Sequence, residues 1–161
     1  MRAETVANTI LEYAHAKDVE IVHLTLQKLM YFFHGEHLAK FGMPLLDEPF
    51  VAGKYGPIQS KIYNFYREFG GNPLGQTFYP STEIATGIKR VFIIDRTNHA
   101  LWDLLAVVWV KYGSLSPAQL STLAHAPGAP WHQSKYIDSV ISNDAIRDWF
   151  ITENQTPTRY Y

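Results

Sequence analysis

Apolar residues recur every three or four positions in successive stretches of this chain, and three of those stretches end on glycine. An α-helix turns once every ~3.6 residues, so this spacing lines one face of a helix. Residues 2–16 carry Val6, Ala7, Ile10, Leu11 and Ala14 at that period. Residues 25–41 carry Leu26, Leu29, Met30, Phe33, His37 and Phe41, with Thr25 as the expected N-cap and Gly42 and Pro44 as the stop. Residues 57–69 carry Ile58, Ile62, Phe65, Tyr66 and Phe69 before Gly70-Gly71. There Gly56 reads as the N-cap and Pro57 as the first helical residue, where a missing N–H costs nothing. Residues 97–112 carry Leu101, Leu104, Leu105, Val108 and Tyr112 before Gly113.

Ser116-Pro117-Ala118-Gln119 then reads as a capping box that opens a short helix ending near His125. Residues 143–151 form the last helix, with Asn143 as the expected N-cap and Asp144 near its positive end. Two segments read as extended: residues 45–55, and the strand candidate 88–95, expected to pair with residues 48–53. The fold class is therefore mainly α: a compact helical domain of about six helices with a small β element. The length of 161 residues suits one domain, 1–161, with enough chain for a real core. The polar stretch 152–161 is expected to be a loose tail.

Composition narrows the function. Charged residues make up 18% against roughly 25% in an average protein, while aromatics reach 14%. Aromatics in such excess serve a core or an interface, where Tyr and Trp are enriched. A net charge of −1 argues against a broad nucleic-acid footprint, which needs clustered Lys and Arg. With no cysteine there is no disulfide framework and no thiolate metal site. No apolar run is long enough to span a bilayer and no signal-peptide pattern opens the chain, so a cytoplasmic location is expected.

Three stretches invite chemistry. "HGEHL", residues 34–38, holds His34 and His37 with Glu36, but its spacing fits neither HExxH nor HxxEH. A metal would need His23, His125 or His132 nearby as well; the plain reading is a hydrogen-bonded His37 at the core edge and a partly exposed His34. No catalytic elbow or phosphate loop is present, so no enzyme activity and no cofactor are expected. "WVKYGSLSPAQLSTLAH" has the outline of a helix-turn-helix. Its second helix offers Ser116, Gln119, Ser121, Thr122 and His125 but no Arg or Lys, which a recognition helix needs. The last stretch, "VAGKYGPIQSKIYNFYREFGG", places Lys54 at the start of the expected 57–69 helix. A carboxylate or phosphate could sit there, but Pro57 removes one donor. For small anions the plain reading is therefore a solvated Lys54 and a turn set by Gly56-Pro57; an acidic side chain of a partner suits the place better than a nucleotide.

Ordered motifs then carry a family resemblance. They are Leu26-Gln27-Lys28-Leu29-Met30-Tyr31-Phe32; Gly42-Met43-Pro44-Leu45 with Glu48; Ala52-Gly53-Lys54-Tyr55-Gly56-Pro57; and Leu120 to His125 followed by Pro130-Trp131. Over residues 20–150 the chain resembles the Panacea domain, the SocA-like antitoxin family also met in phage and mobile-element proteins. Gly53 stands where an aromatic is common in the family, and Ala124 where Thr is usual. The resemblance implies a mostly helical domain that neutralises a toxin encoded beside it by direct contact, in some relatives as an adaptor to a cellular protease. It implies a protein partner, no membrane, and action in the bacterial cytoplasm from a bacterial, phage or prophage gene. The alternative within the family is a phage or mobile-element protein that contacts the host and has no toxin. A DNA-binding regulator and a His-based metal enzyme are the readings outside it.

Expected partner-binding residues are Lys54, Tyr55, Tyr63, Tyr66, Arg67 and Trp131. Interface hot spots favour Tyr, Trp and Arg, and Tyr63 lies off the apolar stripe of its helix. Gln27, Lys28, Tyr31, Gly56, Pro57, His125 and Pro130 are read as the motif residues that shape the domain.

Overall fold

A computed structural model describes residues 1–134 and 136–156. Among the described residues six α-helices run α1 (Ala3–Ala16), α2 (His23–Phe41), α3 (Ser60–Tyr66), α4 (His99–Tyr112), α5 (Pro117–Ala124) and α6 (Asn143–Gln155). Five short strands accompany them: β1 (Phe50–Gly53), β2 (Gly56–Ile58), β3 (Ser81–Thr82), β4 (Lys89–Arg90) and β5 (Val140–Ile141). The chain is mainly α with a small β element.

Helix α2 is the axis of the molecule. It packs against every other helix, and its buried positions lie all round it rather than along one stripe. A helix hydrophobic on every side is one enclosed by others. Leu26, Leu29, Met30 and Phe33 are buried, as expected, but so are Gln27, Lys28, His34 and Glu36. Gly35 lets α6 come close: a Cβ there would collide with the Phe150 ring. Gly42 ends the helix in the left-handed conformation, as the stop signal requires.

The ends of elements depart from expectation. Helix α2 begins at His23, so Thr25 lies inside its first turn and Val22 holds the cap position. Ser142, not Asn143, caps α6, accepting from the Ala145 N–H at 3.1 Å. Helix α6 also runs to Gln155, beyond the expected end at residue 151, while residues 157–161 of the expected tail lie outside the described residues. The capping box at Ser116 and Gln119 is present with both of its bonds.

The sheet is paired differently too. Strand β1 lies between β2 and β5, all antiparallel, whereas Lys89–Arg90 pairs only with Ser81–Thr82. The 88–95 segment therefore does not join residues 48–53. It is held by α1 instead. The buried Asn8 donates to the Tyr79 and Phe92 carbonyls and accepts the Tyr79 N–H, and Thr9 Oγ1 accepts from the Ile94 N–H at 2.8 Å. Those side chains satisfy backbone groups that a longer strand would have paired.

Candidate partner-docking site

The expected helix start at Gly56-Pro57 is strand β2. In the register Val51↔Ile58, Ala52↔Pro57 and Gly53↔Gly56, only Lys54 and Tyr55 remain as the loop of a tight hairpin. Gly56 has φ +113°, open to glycine and rarely adopted by other residues. Pro57 is tolerated because β2 is a sheet edge. Helix α3 starts later, at Ser60, with Gln59 as its cap. The anion site weighed for a 57–69 helix start has no helix there to supply it.

Residues far apart in sequence hold this hairpin. The Trp131 indole N–H donates to the Gly53 carbonyl at 2.8 Å. The His125 ring stacks on Trp131, centroids 3.9 Å apart and planes 19° from parallel. Gln27 Oε1 accepts the Gln59 N–H at 2.7 Å, and Gln59 Oε1 accepts the Ile62 N–H at 2.9 Å. Thus α2 fixes the cap of α3 through two amides. Behind Gly56 lie Lys28 and His125, and Pro130 is buried at the α5 corner. Tyr31 is buried edge-on between Phe50 and Phe150.

The loop tip projects outward. Lys54 and Tyr55 are exposed, the ammonium 5.3 Å from the Tyr55 ring centre. Beside them opens a cleft of about 190 Å³ lined by Leu24, Gly53, Lys54, Tyr55, Ile58, Tyr63, Ile137 and Asp138. The structure thus brings Lys54, Tyr55 and Tyr63 together. Tyr63 is half-buried, its ring edge-on to His23 at 5.8 Å. Arg67 is exposed one turn further along and does not line the cleft. Trp131 is half-buried as a support of the hairpin.

Tyr66 is corrected: it is fully buried, its hydroxyl donating to the Thr77 carbonyl at 2.7 Å, so it faces no partner in this fold. Phe65, expected in the core, is 38% exposed and lies against Tyr79. Leu24, Ile137 and Asp138 were not legible as site residues, since nothing local in the sequence marks them. A roomier cleft of about 540 Å³ lies between residues 19–25 and the α4–α5 corner, and none of the motif residues lines it.

Three basic groups gather behind the hairpin. Burial lowers the Lys28 ammonium to about 8. His23 and His125 are both lowered, first by burial and then by the nearby Lys28 charge.

Of the HGEHL histidines, His37 is placed as expected, hydrogen-bonded at the core edge, and His34 is not. His34 is the buried one; its Nε2 lies 2.8 Å from Asn143 Oδ1 and its Nδ1 accepts the Leu46 N–H. These two bonds fit the neutral ring with its proton on Nε2. His37 is half-buried, with Nδ1 2.8 Å from the Met43 carbonyl. Glu36 accepts from Lys111 at 2.7 Å. Each of these groups is occupied by the protein, and among the described residues no set of three or more ligating side chains is placed for a metal ion.

Burial pushes His34 down to about 4 from the ordinary 6.5. The unfolded chain therefore takes up this proton first. The stability that neutral His34 contributes is full above pH 6.5 and declines as pH falls towards 4, by up to about 3 kcal/mol. Urea melts at pH 7 and at progressively lower pH should show this loss, and His34→Gln should flatten it. An equal decline in that variant would assign the effect to other groups.

Comparison with known proteins adds relatives. Residues 26–132 match the family described as Antitoxin SocA-like, Panacea domain. Antitoxin SocA of Caulobacter vibrioides (strain NA1000 / CB15N) is 32% identical over 129 residues, covering 80% of this chain and 68% of that protein. No solved structure gives a significant match. Among the described residues, no helix is long and apolar enough to cross a membrane.

Proposed function

The chain belongs to the Panacea-domain family of SocA-like antitoxins, and from that premise we propose that it neutralises a protein toxin encoded beside it by direct binding through the β1–β2 hairpin. The observation that carries this reading is the convergence of three separated motifs on one two-residue loop. Residues 27–28, 53–59 and 125–131 fix a turn whose tip, Lys54-Tyr55, is exposed beside an apolar cleft. A rigid aromatic at the edge of a pocket is the usual form of a binding hot spot. The reading needs no catalytic group and no cofactor.

Co-expression tests it. The neighbouring open reading frame, induced alone, should stop growth, and this chain should restore it. A harmless neighbour would move the function to host contact, tested by pull-down from host lysate. The toxin's half-life with and without the chain separates simple sequestration from delivery to a protease.

Tyr63→Ala should leave the fold intact and weaken toxin binding about tenfold, since its half-buried ring forms one wall of the cleft. Unfolding of that variant, seen by circular dichroism, would return Tyr63 to the core.

A further inference from the structure

The three-stranded sheet has two edges, and they are finished differently. Strand β2 carries Pro57, and α2 and α5 pack against it. Proline and covering helices keep a sheet edge from pairing with another chain. Strand β5, at the other edge, carries neither proline nor charge.

The register decides what that edge presents. The Ala52 N–H donates to the Ser139 carbonyl at 2.9 Å, and Phe50 stands opposite Ile141. Antiparallel pairs alternate between positions that exchange backbone bonds and positions that do not. Val140, opposite Val51, is of the second kind. Its N–H and C=O therefore point away from β1, and among the described residues no backbone group bonds to either. Just upstream, the Asp138 N–H and the Ser139 carbonyl both meet Ala52, so two residues oppose one, and Asp138 has φ +64°. This bulge confines the open edge to the short stretch that begins at Ser139.

An open groove of about 380 Å³ follows that stretch, lined in part by Tyr136, Ser139, Val140, Ile141 and Ser142. Tyr136 is 75% exposed and Val140 64%. The groove and the docking cleft are the two sides of one turn. The Ser139 N–H closes it on the Tyr136 carbonyl at 3.2 Å, and Ile137 and Asp138 of the same turn line the cleft. An extended segment laid along β5 meets an N–H and a C=O together, which a single side chain cannot do. Exposed Val140 and Tyr136 favour β-branched or aromatic side chains beside them.

We propose that the protein partner adds an extended segment to the free edge of β5, pairing with the Val140 N–H and C=O, and that this segment is uncharged and rich in β-branched or aromatic residues. The open edge stands on the sheet itself; the partner that fills it rests on the docking reading given above.

The test uses the full chain and the purified protein encoded beside it. Exchange of the Val140 amide proton is followed by NMR, free and in the complex. It should slow by about 100-fold or more on binding. A complex in which residues 53–63 gain protection and Val140 does not would overturn strand addition and keep the docking reading. A neighbour-encoded protein that does not bind the wild-type chain would overturn both. Protection of Val140 that appears in the chain alone as its concentration rises would give the edge to a second copy and overturn the partner as its occupant. Substitution supplies a second arm. Val140→Pro removes the outward N–H without touching the bonds to β1 and should weaken binding about tenfold or more, whereas Val140→Thr, which keeps the N–H, should lose about threefold or less. Undiminished affinity in a folded Val140→Pro protein, judged by circular dichroism, contradicts backbone pairing; if that variant does not fold, the exchange of Val140 decides.

Discussion

Gly56→Ala should lower the stability of the chain by about 2–5 kcal/mol. Two penalties act at this position. At φ +113° a side chain is strained whatever surrounds it. The added Cβ would also stand 2.9 Å from Lys28 Nζ and His125 Nε2 and 3.0 Å from Lys28 Cε. Lys28 is enclosed on all sides, so its end cannot swing away to water. Because whole-domain stability is typically about 5–15 kcal/mol, the variant should melt at markedly lower urea. Gly71 is the control: it has no neighbour within 4 Å of a built Cβ, and Gly71→Ala should stay close to wild type. A Gly56→Ala protein as stable as wild type would mean that the hairpin is not fixed from behind, and the anchoring by Lys28 and His125 would be lost as an argument.

Tyr55→Ala should do the reverse, leaving the melting curve almost unchanged while weakening toxin binding by about 30-fold or more. The ring is 50% exposed at the loop tip, so its removal opens no cavity in the core. In a complex, the same ring offers a large apolar face with few rotatable bonds to fix. Titration calorimetry against the purified neighbour-encoded protein, the proposed toxin, measures the loss. The growth assay should show it as failure to rescue at expression levels where wild type succeeds. Undiminished affinity would remove the hairpin tip from the interface. Together the two variants separate what holds the hairpin from what the hairpin presents.

Much of this fold is legible in the sequence because its signals are local. Helical periodicity and glycine stops locate the bodies of six helices, and Ser116 with Gln119 marks a capping box that is present in full. Failures occur where distant residues decide. Gly56-Pro57 reads locally as a cap and a first helical residue. Pairing of residues 56–58 with 51–53 makes it an edge strand instead, and the helix waits for Gln59. Val140–Ile141 is too short to announce a strand, and only the edge of β1 defines it. Residues 88–95 carry Val, Ile and Phe as a strand would, yet Asn8 and Thr9 of α1 take up their backbone groups.

The site divides in the same way. Lys54 and Tyr55 stand out because a glycine on each side marks a turn. That Lys28, His125 and Trp131 support this turn follows from no periodicity, since each is brought there by a different element. Ile137 and Asp138 line the cleft because β5 pairs with β1. Tyr66 failed as a surface residue for a legible reason: it lies on the apolar stripe of its own helix, and the stripe prevailed.

Hydrogen–deuterium exchange of the full chain, alone and saturated with the protein encoded beside it that is the proposed toxin, tests the docking face most directly. The account predicts new protection in residues 53–63 and 137–141, with the α4–α5 corner unchanged. Protection confined to that corner, or to the cleft at residues 19–25, would contradict it.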